Sequence, residues 1–161
     1  MYNNFDFLSI IRQKPQAFAV IKGSSAYPNI IGDVYFYQIK PGVIVVAYAK
    51  NLPKGHKCSM PILAFHIHSG NSCSGNENDS FADALTHYNP NNCSHPFHAG
   101  DMPPIFSNDG LAFSAFLTNR FTVSEIIGKT VIIHSSPDDF TTQPSGNSGT
   151  KIACGVIKAF R

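Results

Sequence analysis

Short runs of β-branched and aromatic residues, each closed by Gly, Pro or Asn, fill most of this chain and predict strands rather than helices. The first is Phe18–Lys22, followed by Asp33–Gln38 and Val43–Ala49. The segment Ile39-Lys40-Pro41-Gly42 between the last two predicts a hairpin. Ile62–His68, Leu111–Leu117, Thr130–His134 and Ile152–Ala159 continue the series. Two long polar stretches interrupt it: residues 69–108, broken by Pro90, Pro96, Pro103 and Pro104, and the glycine-rich residues 135–150. Loops longer than about 15 residues are usually functional or disordered. Helix signals are few. Asp6 can cap a short helix through Ile11 that Pro15 ends, and Thr122-Val123-Ser124-Glu125 is a capping box with a stop at Gly128. Many short strands, two long loops and almost no helix predict an antiparallel sandwich or barrel. Residues 1–16 read as an N-terminal extension and residues 17–161 as one domain.

Composition narrows the classes. A chain of 161 residues suffices for one domain with a sizeable core, and 12 Gly with 11 Pro favour many turns. The net charge of +2 is small and unclustered, which argues against nucleic acid but leaves room for a small anion steered by a few local cations. No segment approaches a membrane span, so no membrane partner is expected. The first residues, Met1 to Asp6, lack the positive region of a secretory signal. The expected compartment is therefore the cytoplasm as written, and outside it if a leader was removed. Cys58, Cys73, Cys93 and Cys154 permit three pairings if all are oxidised, or serve as small apolar residues. Disulfides are uncommon in a reducing cytosol, so the cysteines pull against the missing leader.

The chemistry lies in the histidines. Six of the seven fall with one aspartate into metal-site spacings: His66, His68, His87, His95, His98 with Asp101, and His134. His66 and His68 flank one apolar residue, so on a strand both rings leave the same face. His134 ends the run Val131-Ile132-Ile133 and is also presented by a strand end. His87, His95, His98 and Asp101 form a His3Asp set suited to a closed tetrahedral zinc site, while neutral imidazole suits both zinc and copper. That set leaves three strand-borne histidines in want of a fourth. Imidazolate can bridge two metals through its two nitrogens, so one loop histidine can serve both ions. The rigid strand set then reads as the reactive metal and the loop set as the structural one. No CxxC or CxxxC unit supports a thiolate site. His56, between Gly55 and Lys57, falls outside the pattern.

In order and with compatible spacing, Phe65-His66-Ile67-His68, His87-Tyr88-Asn89-Pro90, His98-Ala99-Gly100-Asp101, Asn108-Asp109-Gly110, His134 with Asp138-Asp139, Gly146-Asn147-Ser148-Gly149 and Ala153-Cys154-Gly155-Val156 resemble the copper–zinc superoxide dismutase family of bacterial type. The resemblance runs from about Ala17 to Ile157. It implies an all-β, immunoglobulin-like Greek-key sandwich or barrel of about eight antiparallel strands with two long functional loops; the family is itself an established example of that architecture. It implies copper on His66, His68, His87 and His134, and zinc on His87, His95, His98 and Asp101, with His87 as the bridge. It gives Asp138 hydrogen bonds to His66 and His95 that fix their rings, and pairs Cys73 with Cys154. The implied reaction is dismutation of superoxide to oxygen and hydrogen peroxide by alternating reduction and oxidation of copper beside a structural zinc. His87 carries the proton and Lys151 guides the anion. The implied partners are superoxide and a second copy of the chain in a homodimer, for which no contact residues are assigned.

Several positions depart from the family pattern. Lys151 stands where the family has Arg, which keeps the charge but loses the planar fork. Leu85-Thr86 precedes the bridging position, where the family often has Gly or Pro, and Ala64 replaces the usual Gly before Phe65. Residues 54–61 read as an insertion carrying Cys58, which either pairs with Cys93 or leaves two free thiols. These departures keep a second reading alive, a dismutase-like copper-binding or copper-buffering protein with little turnover. A zinc-only structural domain has no need of His66, His68 and His134.

Overall fold

In the computed structural model, which describes residues 6–161, these runs become a curled antiparallel sheet of seven strands plus a two-stranded ribbon. Of the expected extension, residues 1–5 lie outside the described residues. The elements are α1 (Phe7–Ile11), β1 (Ala17–Gly23), β2 (Ile31–Gln38), β3 (Val43–Lys50), β4 (Ile62–Leu63), β5 (Phe65–His68), β6 (Ile105–Phe106), β7 (Leu111–Thr118), α2 (Val123–Ile126), β8 (Thr130–His134) and β9 (Lys151–Ala159). The seven-stranded sheet runs β5-β8-β9-β1-β2-β3-β7, and β4 pairs with β6. Both helix signals are realised: the Asp6 side chain accepts from Ser9 N–H, and the Thr122–Glu125 capping box is complete. The predicted hairpin is β2–β3, in register from Ile31↔Lys50 to Gln38↔Val43.

The expected single strand over residues 62–68 is interrupted at Ala64. Its N–H donates to Ser136 O (2.8 Å) and its carbonyl accepts from His134 N–H (2.9 Å), so the chain changes partner from β6 to β8. The stretch 69–108 is also less plain than its composition suggests, holding a 3-10 turn at Ala82–Ala84 and β6. From β3 the chain crosses to β5 at the far end of the sheet, returns to β7, and crosses again to β8. Two such crossings make the Greek-key connection, and the long loops are what they require.

Alternation sorts the side chains. Ile21, Val34, Phe36, Val45, Phe65 and Ile133 meet in the interior with almost no exposure. Each such aromatic or aliphatic side chain contributes about 1.5–3 kcal/mol by leaving water. On β5, Phe65 and Ile67 join this core, which sends His66 and His68 out through the opposite face. On β8, Val131 and Ile133 point inward, so Ile132 and His134 take the outer face. A second small cluster of Phe81, Ala84, Ile132 and Cys154, with Cys73 against it, fastens residues 69–84 to that outer face.

Candidate metal centre

The outer face of β5 and β8 gathers His66, His68 and His134, and the loop adds His87; all four are buried. His87 arrives there because β5 is an edge strand whose free side is paired by loop backbone. Ser69 N–H donates to Thr86 O (2.8 Å), Tyr88 N–H to Ile67 O (2.8 Å), and Ile67 N–H to Gly100 O (2.9 Å). These bonds set His68 opposite His87 and His66 opposite Asp101. Gly100 is required by this approach, since a Cβ would run into the Ile67 carbonyl.

His87, His95, His98 and Asp101 form a second buried group. His87 Nδ1 lies 2.7 Å from Asp101 Oδ1, His95 Nδ1 lies 3.1 Å from Oδ2, and His98 Nδ1 lies 3.4 Å from Oδ1. Asp101 is itself aimed by the His98 N–H, which donates to Oδ2 (3.0 Å). His87 thus belongs to both groups.

Hydrogen bonds fix the ring tautomers. Asp138 Oδ2 accepts from His66 Nε2 (2.8 Å) and its Oδ1 accepts from His95 Nε2 (2.8 Å), so both rings turn a bare Nδ1 into their groups. His68 Nδ1–H donates to Leu85 O (2.8 Å), and His134 Nδ1 faces both Gly149 O and Ser148 Oγ (3.4 Å each), of which the carbonyl can only accept. Those contacts leave two bare Nε2 atoms facing each other across 3.2 Å. Buried His66 Nδ1, His87 Nε2 and His95 Nδ1 have no hydrogen-bond partner at all. Native interiors rarely leave such atoms unpaired. His95 Nδ1 lies near Asp101 yet outside hydrogen-bond geometry, as two donors to a common ion would. Converging lone pairs of nitrogen, with one carboxylate and no thiolate, fit borderline divalent metals such as copper and zinc.

Burial favours the neutral, metal-binding form of these rings. It pushes His134 down to about 3 and His68 well below the usual histidine value, with neighbouring imidazoles adding to the effect. Burial also lowers His66 and His98, against the opposing pull of Asp138 and Asp101 respectively. Burial would raise the Asp101 and Asp138 carboxyls, but the imidazoles they face bring both below the ordinary carboxylate range.

A cleft of about 660 Å³ reaches the first group, lined by His68, His87, His134, Asp79, Thr150 and Lys151 among others. Lys151 is opposite His134 in the β8–β9 register. Its ammonium is engaged by Asp79 Oδ2 at 2.5 Å and Phe81 O at 3.2 Å. Cys73 and Cys154 form a disulfide, while Cys58 and Cys93 are free and exposed, which decides between the alternatives left open for that pair. His56 is exposed and belongs to neither group.

Three contributors carried no sequence signal. Gln143 clamps His95 at two points, accepting from its N–H (3.0 Å) and donating to its carbonyl (2.7 Å). Arg120 donates to the carbonyls of Pro96, His98 and Asp101, across the loop that carries the second group. Asp79 was one more polar loop residue until the fold set it against Lys151. Leu85 is different, because its place in the glycine position ahead of His87 marked it. Its backbone sits at φ +62°, ψ −142°, a conformation that suits glycine, and that pose aims its carbonyl at His68.

Comparison with known proteins agrees with this geometry. The family described as copper/zinc superoxide dismutase (SODC) matches residues 30–157. A curated superoxide dismutase [Cu-Zn] 2 of Aquifex aeolicus is 33% identical over 145 residues, covering 81% of this chain and 80% of that protein. The superoxide dismutase [Cu-Zn] of Legionella pneumophila is 35% identical over 139 residues, covering 81% and 80%. The solved structure of the Cu/Zn superoxide dismutase from Brucella abortus superposes with a TM-score of 0.73 at 23% identity, covering 87% of this chain and 98% of that one, which speaks to the fold.

Proposed function

This chain belongs to the copper/zinc superoxide dismutase family, and from that premise we propose that it converts superoxide to oxygen and hydrogen peroxide at the paired histidine centre. Copper is assigned to His66, His68, His87 and His134, and zinc to His87, His95, His98 and Asp101. The observation that carries this reading is the single ring of His87, with Nδ1 in one group and a buried, unpartnered Nε2 in the other. When bound, copper supplies one-electron redox chemistry and zinc a redox-inert positive charge.

The chain's own residues do the rest. Asp138, the Leu85 carbonyl and the Gly149 carbonyl hold the His66, His68 and His134 rings in the tautomers that leave the right nitrogens bare. His87 presents Nδ1 to the second group beside Asp101 and Nε2 to the first, and Nε2 is assigned to carry the proton, a role that imidazole can combine with metal binding. The cleft opens onto the first group and gives a small anion a route to it. Lys151 lies on that route and is assigned the guiding charge, although Asp79 shares it. That shared charge is the one feature favouring the second reading, a copper-buffering protein with little turnover.

The disulfide supports an extracytoplasmic setting, where such bonds persist. Among the described residues no helix is long and apolar enough to cross a membrane. A homodimer is supported by the outward row of edge strand β7, where Leu111, Phe113 and Leu117 are exposed and Tyr48 of β3 lies opposite Phe113. Residues 17–161 are taken as the catalytic domain and residues 1–16 as an extension of it.

The test is reconstitution with both metals, followed by metal analysis and direct measurement of superoxide decay. We expect one copper-type and one zinc-type site per chain and a rate far above that of the metal-free protein. Full occupancy with no faster decay than the metal-free protein would leave copper buffering as the function.

A further inference from the structure

We propose that Asp79 is a positioning residue that pins the Lys151 ammonium at the mouth of the cleft and damps its attraction for incoming superoxide. The inference rests on the dismutase reading for the identity of the anion. Apart from histidines, Asp79 and Lys151 are the charged groups lining the cleft among the described residues. One carboxylate and one ammonium in contact leave the mouth with almost no net charge, whereas a lone cation would draw an anion in.

The contact is built rather than incidental. Asp79 divides its carboxylate: Oδ1 accepts from Phe81 N–H (3.0 Å), and Oδ2 is given to Lys151. The turn that presents it is tied by Asn76, whose side chain accepts from the Asn78 and Asp79 N–H groups at 2.9 and 3.0 Å. The lysine donates again to Phe81 O, and its side chain is only 14% exposed. The Asp79 side chain is more open, at 39%, so the shelter lies on the lysine side of the pair. The segment carrying Asp79 is also held to β9 by the Cys73–Cys154 bridge, three residues beyond Lys151. Loop and strand are thus joined by a covalent clamp and an ionic one.

Asp79→Asn separates the two roles of the carboxylate. Its amide oxygen can still accept from Phe81 N–H, but the amide nitrogen it turns to Lys151 cannot accept. The ammonium then keeps only the Phe81 carbonyl and is unneutralised. The second-order rate of superoxide decay should rise on the order of threefold at low ionic strength and fall more steeply with added salt. Asp79→Glu should return both quantities towards wild type. A second readout needs no turnover: acylation of Lys151 by acetic anhydride, followed by mass spectrometry, should be faster in Asp79→Asn than in wild type, with or without metals. An unchanged or lower rate in a folded Asp79→Asn protein, or unchanged Lys151 acylation, overturns the proposal. If Asp79→Asn does not fold, Lys151→Gln takes its place. The carboxylate it leaves bare must make the rate increase with added salt, and a rate that does not increase is equally fatal. Should the loaded wild type show no turnover, the dismutase reading fails, while Lys151 acylation still decides whether Asp79 holds the lysine.

Discussion

The two histidine groups share a ring and are built in opposite ways. His66, His68 and His134 stand on β5 and β8, where ladder hydrogen bonds and the packed core behind Phe65, Ile67 and Ile133 fix the backbone. His95, His98 and Asp101 stand on a loop held by polar side chains, chiefly Gln143, Arg120 and Asp138. Three of the four residues of the first group, His68, His87 and His134, line the cleft; of the loop residues His98 reaches it while His95 and Asp101 do not. A catalytic metal needs a rigid, open site and a structural metal a closed one. The fold supplies the first from its sheet and holds the second through polar side chains on a loop.

The strongest way to break this contrast is at the shared ring. His87→Ala removes a ligand from each group and the proton carrier between them, so dismutation should fall by at least about 10²-fold. Metal analysis should show weakened binding of both ions. If one ion is retained with unchanged affinity, His87 serves a single group.

Removing a ligand from one group at a time comes next. His134→Ala should lose copper and activity while the folded protein keeps zinc. His98→Ala should lose zinc, keep copper and melt at a lower temperature, because the loop then lacks its ion. The reverse pattern, with His98→Ala losing copper and His134→Ala losing zinc, would exchange the two assignments.

Much of this contrast was legible in the chain, for reasons that differ between the groups. The His66-Ile67-His68 alternation is a period-2 signal that puts those two rings on one face, and the apolar run into His134 places that ring at a strand end; only the β5–β8 pairing brings the three together. The loop group was readable only as a set of ligand types at suitable spacing, because nothing local says where a polar loop of some forty residues will lie. The break at Ala64 was hidden because Ile62–His68 is uniformly strand-like, and only the long-range bonds to Ser136 and His134 divide it. Gln143, Arg120 and Asp79 were invisible for the same reason. Each acts on a partner at least 19 residues away, through bonds that exist only once the barrel has closed.

The metal-free protein sharpens the comparison through pH. The His134 pKa falls to about 3 and that of His68 well below its usual value, while the unfolded chain keeps histidines near the ordinary 6.5. Between those limits the unfolded state binds more protons, so folding stability is full above about pH 6.5 and is lost as pH falls towards 3. Asp101 and Asp138, held below the ordinary range, add a loss in the same direction once pH drops through the carboxylate region. Calorimetry of the metal-free protein should therefore show melting temperature dropping from pH 6.5 downwards. A flat profile to pH 4 would mean that the strand-borne rings are not held neutral.

Reducing the Cys73–Cys154 bridge should have a smaller effect and an uneven one. A native disulfide contributes about 2–4 kcal/mol to stability. This one holds residues 69–84 on the outer face of the sheet, next to Leu85 and His87. The loop-borne group has its own ties through Gln143 and Arg120. After reduction, copper should be released to a chelator faster, with zinc release less affected. Equal acceleration of both would mean that the bridge supports the whole centre evenly.

The smallest expected effect lies at Leu85, where loop backbone serves the strand group. A non-glycine residue at φ +62°, ψ −142° costs about 1–3 kcal/mol, and the Leu85 side chain is 58% exposed, so it regains little by burial. Glycine relaxes the strain but gives the unfolded chain more freedom, a loss of about 0.4–1 kcal/mol. The balance favours Leu85→Gly by roughly 1 kcal/mol, which in a domain of this size raises the melting temperature by about 2–4 °C. The carbonyl that accepts from His68 is backbone and survives the change. A lower melting temperature in Leu85→Gly would show that leucine contributes more through its packing on the loop than its backbone costs. In that case the strand-borne group depends on the loop's side chains as well as on the loop's backbone.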